Sequence, residues 1–219
     1  MAHRKILGVL GGDHMTAPKI AAWIESADIV IAADSGMLRV LEAGYAPDVV
    51  IGDFDSLSQE IVGEDTTMIV DHDQNSTDCS KLLSYVAHMG YSNVTLICAE
   101  GDLSDHFIDT VHCSVRADID TYIGLERGIA HILKGPITRT IPSSPGKRVS
   151  LLPLETVSNA SLSGVQWSFK GETLSVRGFT SISNIATESE LQVSIDDGSA
   201  YLFVESEEPQ WFVPSPERA

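Results

Sequence analysis

The chain has 219 residues, 43% of them hydrophobic and 21% charged, with a formal net charge of −17. That length supports a large core, as one generous domain or two compact ones, and the composition is ordinary for a globular protein. The strong negative charge argues against nucleic acid or an anionic membrane surface as partner, since both are polyanions, whereas a metal–nucleotide substrate stays compatible because its cation screens the phosphates.

In chain order, Met1-Ala2-His3-Arg4-Lys5 leads into an apolar stretch too brief for a signal peptide or a membrane span, so a cytoplasmic protein is expected. Ile6 to Leu10 reads as a strand ending in Gly11-Gly12. Ala17 to Glu25 reads as a helix, with Thr16 as cap and Pro18 in its first turn. Ile29 to Ala33 is a second strand, running into Asp34-Ser35-Gly36 and a helix through Met37, Leu38, Val40 and Leu41. Val49 to Ile51 and Met68 to Val70 are further strands, the latter followed by a helix from about Ser76 to Met89. Val94 to Ala99 is a fifth strand, and a long helical stretch begins near Asp105. Strands alternating with helices predict a parallel sheet covered on both faces.

After residue 136 the texture changes. Pro142, Pro145 and Gly146 break the chain, and short β-rich runs follow at 149–152, 166–169, 173–176, 192–195 and 200–204, with Lys170-Gly171 and Asp197-Gly198 read as hairpin turns. The fold expected is α/β: an N-terminal parallel-sheet, Rossmann-like domain over 1–138, an all-β sandwich domain over 139–206 and an acidic, Pro-rich tail over 207–219. The odd cysteine count (Cys79, Cys98, Cys113), without CxxC spacing, disfavours zinc and a disulfide framework. Cys98 reads as a core residue, and Trp167 and Trp211 as core or interface packing.

Two acidic stretches carry the chemistry. Gly52-Asp53-Phe54-Asp55-Ser56 follows the apolar run Val49-Val50-Ile51 and so marks the exit of a buried strand. In extended backbone Asp53 and Asp55 would point the same way. Asp78, opening the helix after Gln74-Asn75-Ser76-Thr77, adds a third carboxylate. Carboxylates this close repel unless a cation lies between them, and oxygen-only ligands suit Mg²⁺ bound together with substrate phosphates. Asp34, Asp53, Asp78 and Asp105 all fall at or just after strand ends, where open α/β sheets bind ligands. An Asp-x-Asp after a strand also occurs in haloacid-dehalogenase-like phosphatases, but Leu57 and the lack of a second acidic pair beyond the turn-like Asp196-Asp197 speak against that reading.

The series Asp34-Ser35-Gly36, Pro47-Asp48, Gly52-Asp53-Phe54-Asp55-Ser56, Gln74 to Asp78 and Asp105-His106 resembles the thiamin pyrophosphokinase family, and Ser150-Leu151-Leu152-Pro153-Leu154 and Ser181-Ile182-Ser183-Asn184 extend the likeness into the β region. The resemblance implies a homodimeric enzyme that transfers the terminal pyrophosphoryl group of ATP to the hydroxyl of thiamin, releasing AMP. It implies Mg²⁺ on Asp53, Asp55 and Asp78, which with Asp105 form the catalytic group. It further implies ATP bound near Asp34, Ser35, Gly36 and Asp105, and thiamin contacted by Gln74 and Ser181. The chain departs from the family pattern at Leu103, where a phosphate-facing Arg is usual, and at Asp102, Thr110 and Ile185-Ala186-Thr187. A pyrophosphokinase for another heterocyclic alcohol, such as a hydroxymethyl dihydropterin, and a nucleotide- or thiamin-binding sensor therefore stay open. Lys81, Lys147 and Arg148 are read as surface residues that are the candidates for replacing the missing charge.

Overall fold

The structure, a computed structural model, describes residues 4–54 and 65–212. They divide into two compact units, one running to Glu126 and including the stretch from Pro209, the other Arg127–Glu208.

In the first unit the strands are β1 (Ile6–Val9), β2 (Ile29–Ala33), β3 (Val49–Gly52), β4 (Thr67–Val70), β5 (Asn93–Ile97) and β6 (Asp120–Leu125), and the helices α1 (Ala17–Ser26), α2 (Gly36–Glu42), α3 (Asp78–His88) and α4 (Ser104–Arg116). The strands pair in parallel in the order β6-β5-β1-β2-β3-β4. The chain runs outward from β1 to β4, then returns to set β5 on the other side of β1. Connections leaving β1 and β5 therefore diverge, which opens a crevice beyond the strands' carboxyl ends. Ile6, Leu7, Val9, Val94, Leu96 and Ile97 are all buried, as continuous apolar runs in a sheet covered on both faces should be. Helix α1 contributes Ile20, Trp23 and Ile24 to the core, and α3 contributes Leu82, Leu83 and Val86. Each such side chain is worth roughly 1.5–3 kcal/mol on burial. Trp211 packs back on this unit, its Nε1 donating to Ser26 Oγ at 3.1 Å and its ring meeting Trp23 edge-on. Strand β6 is not among the strands read from sequence, because Asp120, Thr121 and Gly124 break its apolar run although all six residues are buried.

The second unit holds β7 (Gly128–Lys134), β8 (Ile137–Pro142), β9 (Arg148–Pro153), β10 (Val157–Ser163), β11 (Phe169–Leu174), β12 (Ser181–Ile185), β13 (Glu190–Ile195) and β14 (Ser199–Glu205). They form two antiparallel sets, β12-β9-β14-β7 and β11-β10-β13-β8. The molecule is thus mixed α/β with a large sheet and a separate, sandwich-like sheet. Leu191, Val193 and Ile195 alternate inward along β13. The division between units falls after Glu126, so β7 goes with the β unit, whereas the sequence reading set the boundary near 138. Two turn readings need correction. Lys170-Gly171 lies inside β11, where Gly171 takes φ +72° and the register with β10 shifts, so it marks a bulge. Asp197-Gly198 joins β13 to β14, which belong to different sheets, so it is a step between layers rather than a hairpin. No helix among the described residues is long and apolar enough to cross a membrane.

His131 on β7 lies opposite Leu202 of β14 and is buried. Burial first, and then the Arg139 charge, holds its pKa down to about 3, from an ordinary 6.5. The unfolded imidazole accepts a proton below about pH 6.5 that the folded one refuses. The stability this group contributes is therefore complete above that pH and lost as pH falls toward 3. His131→Gln should flatten the fall of Tm between pH 6.5 and 4 in thermal melts; an unchanged slope would exonerate His131.

Candidate active site

A cavity of about 860 Å³ lies in the first unit beyond the carboxyl ends of its strands. Leu10 to Asp13 follow β1, Ser35 follows β2, Asp53 follows β3, Asp73 and Gln74 lead toward α3, and Cys98, Gly101, Leu103 and Asp105 lie between β5 and the start of α4; all line it. Close backbone approach holds these loops together. A Cβ on Gly12 would strike the Glu100 carbonyl, and one on Gly36 the Val9 carbonyl. The Gly12 amide is already committed, donating to the Cys98 carbonyl at 2.7 Å.

Strand β3 ends at Gly52, and Phe54 adopts φ 58°, in the left-handed region. The residue between Asp53 and Asp55 is thus not in the extended backbone on which a shared face depends. Asp55 and Ser56 lie outside the described residues. Cys98, just after β5, has φ 55°. Each such non-glycine residue costs about 1–3 kcal/mol, and strain of this kind tends to mark function; Cys98 lines the cavity, and Phe54 directly follows Asp53, which does. Cys98 is buried, as expected of a core residue, and burial pushes its thiol pKa up to about 12.

Gln74 Nε2 donates to Asp53 Oδ2 at 3.0 Å, joining the two acidic stretches. The segment between β4 and α3 is shaped by its own polar groups. The Asp71 amide donates to the Gly52 carbonyl at 2.9 Å, the Asn75 amide to Asp73 Oδ1 at 2.9 Å, and Thr77 Oγ1 caps α3 by accepting from the Ser80 amide at 3.4 Å. Asp78 then opens α3, and Asp105 lies in the first turn of α4. First turns favour carboxylates regardless of any ligand. A carboxylate placed only for that purpose would have a lowered pKa. That of Asp78 is raised, chiefly by desolvation and then by the Asp53 charge, against the opposing pull of Lys81 and His106. Its ionised form is held at a cost, as is common for functional acids.

Asp53, Gln74, Asp78, Asp105 and Ser35 therefore border one cavity. Asp34 lies beside it, its Cβ packed where a side chain on Gly52 would go, and Gly36 is buried. Ser181 belongs to the second unit; it is buried on β12, and its Oγ accepts from Asn184 Nδ2 at 3.2 Å. The Asn184 amide group also pairs with the Trp167 backbone, at 3.1 and 2.9 Å, holding an indole that is 58% exposed rather than packed in a core. Leu103 stands at the N-cap of α4, 59% exposed and on the cavity wall. Lys81 corrects the surface reading: it is buried, lines the cavity and donates to the Asp71 carbonyl at 3.0 Å. Its spacing of three from Asp78 on one helix was the signal available in the sequence. Lys147 pairs with Glu207 at 2.8 Å and Arg148 lies over the Phe203 ring, both in the second unit.

The models for the thiamin pyrophosphokinase catalytic domain and for its vitamin B1 binding domain match residues 20–123 and 138–200. The chain belongs to the thiamin pyrophosphokinase family. Thiamine pyrophosphokinase 2 of Arabidopsis thaliana is 31% identical over 174 residues, which cover 72% of this chain and 65% of that relative. The match thus spans about two thirds of the relative's length. Among solved structures, the thiamin pyrophosphokinase of Geobacillus thermodenitrificans superposes with a TM-score of 0.78 at 23% identity, covering 92% of this chain and 97% of that one. The thiamine pyrophosphokinase of Bacillus subtilis gives 0.76 at 20% identity, covering 93% and 99%. At those identities the likeness shows a shared fold. In family terms, Asp53, Gln74, Asp78 and Asp105 on the cavity wall lie within the part matched by the catalytic-domain model, and Ser181 within the part matched by the B1-binding model.

Proposed function

We propose that this chain is a Mg²⁺-dependent thiamin pyrophosphokinase. The hydroxyl oxygen of thiamin attacks the β-phosphorus of ATP, the bond from that phosphorus to the α,β-bridging oxygen breaks, and AMP leaves. The observation that carries this reading is the gathering of Asp53, Gln74, Asp78 and Asp105 on one cavity inside the segment matched by the catalytic-domain model. Such transfers depend mainly on positioning and charge stabilisation, so the lack of an evident protein nucleophile is no obstacle.

The donor set fits a hard cation. The side chains concerned offer oxygen only, and Asp53 and Asp78 are close enough for one charge to raise the pKa of the other. Asp53 and Asp78, with Asp55 of the same motif, are assigned to the ion, which when bound supplies charge neutralisation for the phosphates. Gln74 steadies Asp53 and is assigned, with Ser181, to thiamin. Asp34, Ser35, Gly36 and Asp105 are assigned to ATP, within an α/β unit that we read as Rossmann-like. A homodimer is supported by the exposed apolar Val176, Phe179 and Ile182 of the second unit. Three free cysteines suit a reducing, cytoplasmic setting.

The test is to incubate the purified chain with ATP, MgCl₂ and thiamin and to quantify AMP and thiamin diphosphate. The expected result is equimolar formation of both, lost when the metal is chelated. AMP released only with a pterin alcohol would replace the acceptor. Leu103, an apolar side chain where the family resemblance expects a phosphate clamp, favours a second reading, that of a binding protein without transfer. Ligand binding without AMP would select it.

A further inference from the structure

The aspartates on the cavity wall outnumber its permanent cations. Among the described lining residues Lys81 is the only lysine or arginine, while the aspartates are Asp13, Asp53, Asp73, Asp78, Asp102, Asp105 and Asp109. A buried lysine is rare unless paired. Lys81 is 6% exposed, yet its described hydrogen bond goes to a neutral carbonyl, that of Asp71. The Asp73 and Asp78 carboxylates feel its charge without closing an ion pair with it. A single bond to a carbonyl aims the ammonium and leaves donors over, since the group carries three. Elsewhere on the cavity lining, the position where the family resemblance expects a phosphate-facing Arg holds Leu103, which has no charge to offer.

We infer that Lys81 holds the phosphates of the nucleotide, standing in for the cation missing at residue 103. The Asp71 carbonyl orients it, and the ammonium keeps donors to spare. The inference rests on the reading that the cavity takes ATP. It adds to that reading the side chain that receives the polyphosphate.

Lys81→Gln keeps a donor for the Asp71 carbonyl and removes the charge. In calorimetry with α,β-methylene-ATP and Mg²⁺, this variant should bind roughly 10- to 100-fold more weakly, the scale of one charge-assisted hydrogen bond. Thiamin affinity should stay within about twofold, as expected of a residue that touches only the other substrate. Steady-state rates should show the same split, with KM for ATP raised and KM for thiamin nearly constant. A side chain that merely braces the loop would weaken both ligands alike, and that result, or unchanged nucleotide affinity, would overturn the inference. A measurement on the unaltered protein avoids dependence on the variant's folding. Mg²⁺ with α,β-methylene-ATP should shield Lys81 from acetic anhydride, read by peptide mass spectrometry, and thiamin should not. Equal labelling with and without nucleotide would refute the assignment. If the unaltered chain makes no thiamin diphosphate while Lys81→Gln still loses nucleotide selectively, Lys81 stands and the thiamin reading falls. Turnover of thiamin with no nucleotide defect in the variant gives the reverse.

Discussion

Asp53→Asn is expected to lower kcat/KM for pyrophosphoryl transfer by at least about a hundredfold while leaving the fold intact, the scale of losing one electrostatic stabiliser of the transition state. The substitution is isosteric. Its amide oxygen can still accept from Gln74 Nε2, the bond that now runs 3.0 Å to Asp53 Oδ2, so the link between the two acidic stretches survives. What disappears is one negative charge at the end of β3. The proposed cation would lose a ligand there, and Asp78 loses the neighbour whose charge helps raise its pKa. Rates measured over a Mg²⁺ titration should therefore show both a lower maximum and a higher metal requirement, with Tm nearly unchanged in metal-free buffer. Near-normal activity at an unaltered Mg²⁺ requirement would remove Asp53 from the metal site and weaken the case for the whole cluster.

Asp78→Asn should abolish activity to a similar extent and yet stabilise the metal-free protein at neutral pH. Desolvation, first, and then the Asp53 charge lift the Asp78 pKa in the folded state above its ordinary 3.8. A raised folded pKa means that the folded protein binds this proton more tightly than the unfolded chain. The associated stability is present below about pH 3.8 and is lost as pH rises through the folded value. At pH 7 the ionised carboxylate is thus a burden on the fold. Two effects limit its size: solvent reaches part of the group, and the first turn of α3 favours a negative charge by about 0.3–1 kcal/mol. A rise in Tm of no more than a few degrees is expected at pH 7 without metal, vanishing near pH 3 and shrinking when Mg²⁺ is added to the unsubstituted protein. A lower Tm for Asp78→Asn in metal-free buffer at pH 7 would contradict the raised pKa and the strained placement inferred from it. The pairing of lost function with gained stability is what separates a site carboxylate from a helix-capping one.

The α/β half was legible because its strands are short apolar runs bounded by glycine and aspartate, and because α1 and α3 repeat their apolar residues with helical spacing. Ile29–Ala33 emerged with the bounds read from sequence. The β half was legible only as texture. Strand β7 is buried along nearly its whole length and has no alternation to detect, and Gly171 looks like a turn residue although it sits in a bulge within β11. Local signals describe a residue's preferences, not its partners, so a step between layers at Asp197-Gly198 looks the same as a hairpin.

Residue types and their spacing along the chain determined which side chains bear charge, which segments pair with a sheet and which oxygen donors cluster near strand ends; these depend on covalent order and short-range sterics alone. Only the tertiary structure decided that Gln74 touches Asp53, that Phe54 interrupts the extended backbone, and that Lys81 lies inside the cavity rather than on the surface. Burial and proximity between distant segments arise from packing α3 against the sheet. No local pattern reports that packing, because the same lysine on the same helix would face water if α3 were turned by half a revolution.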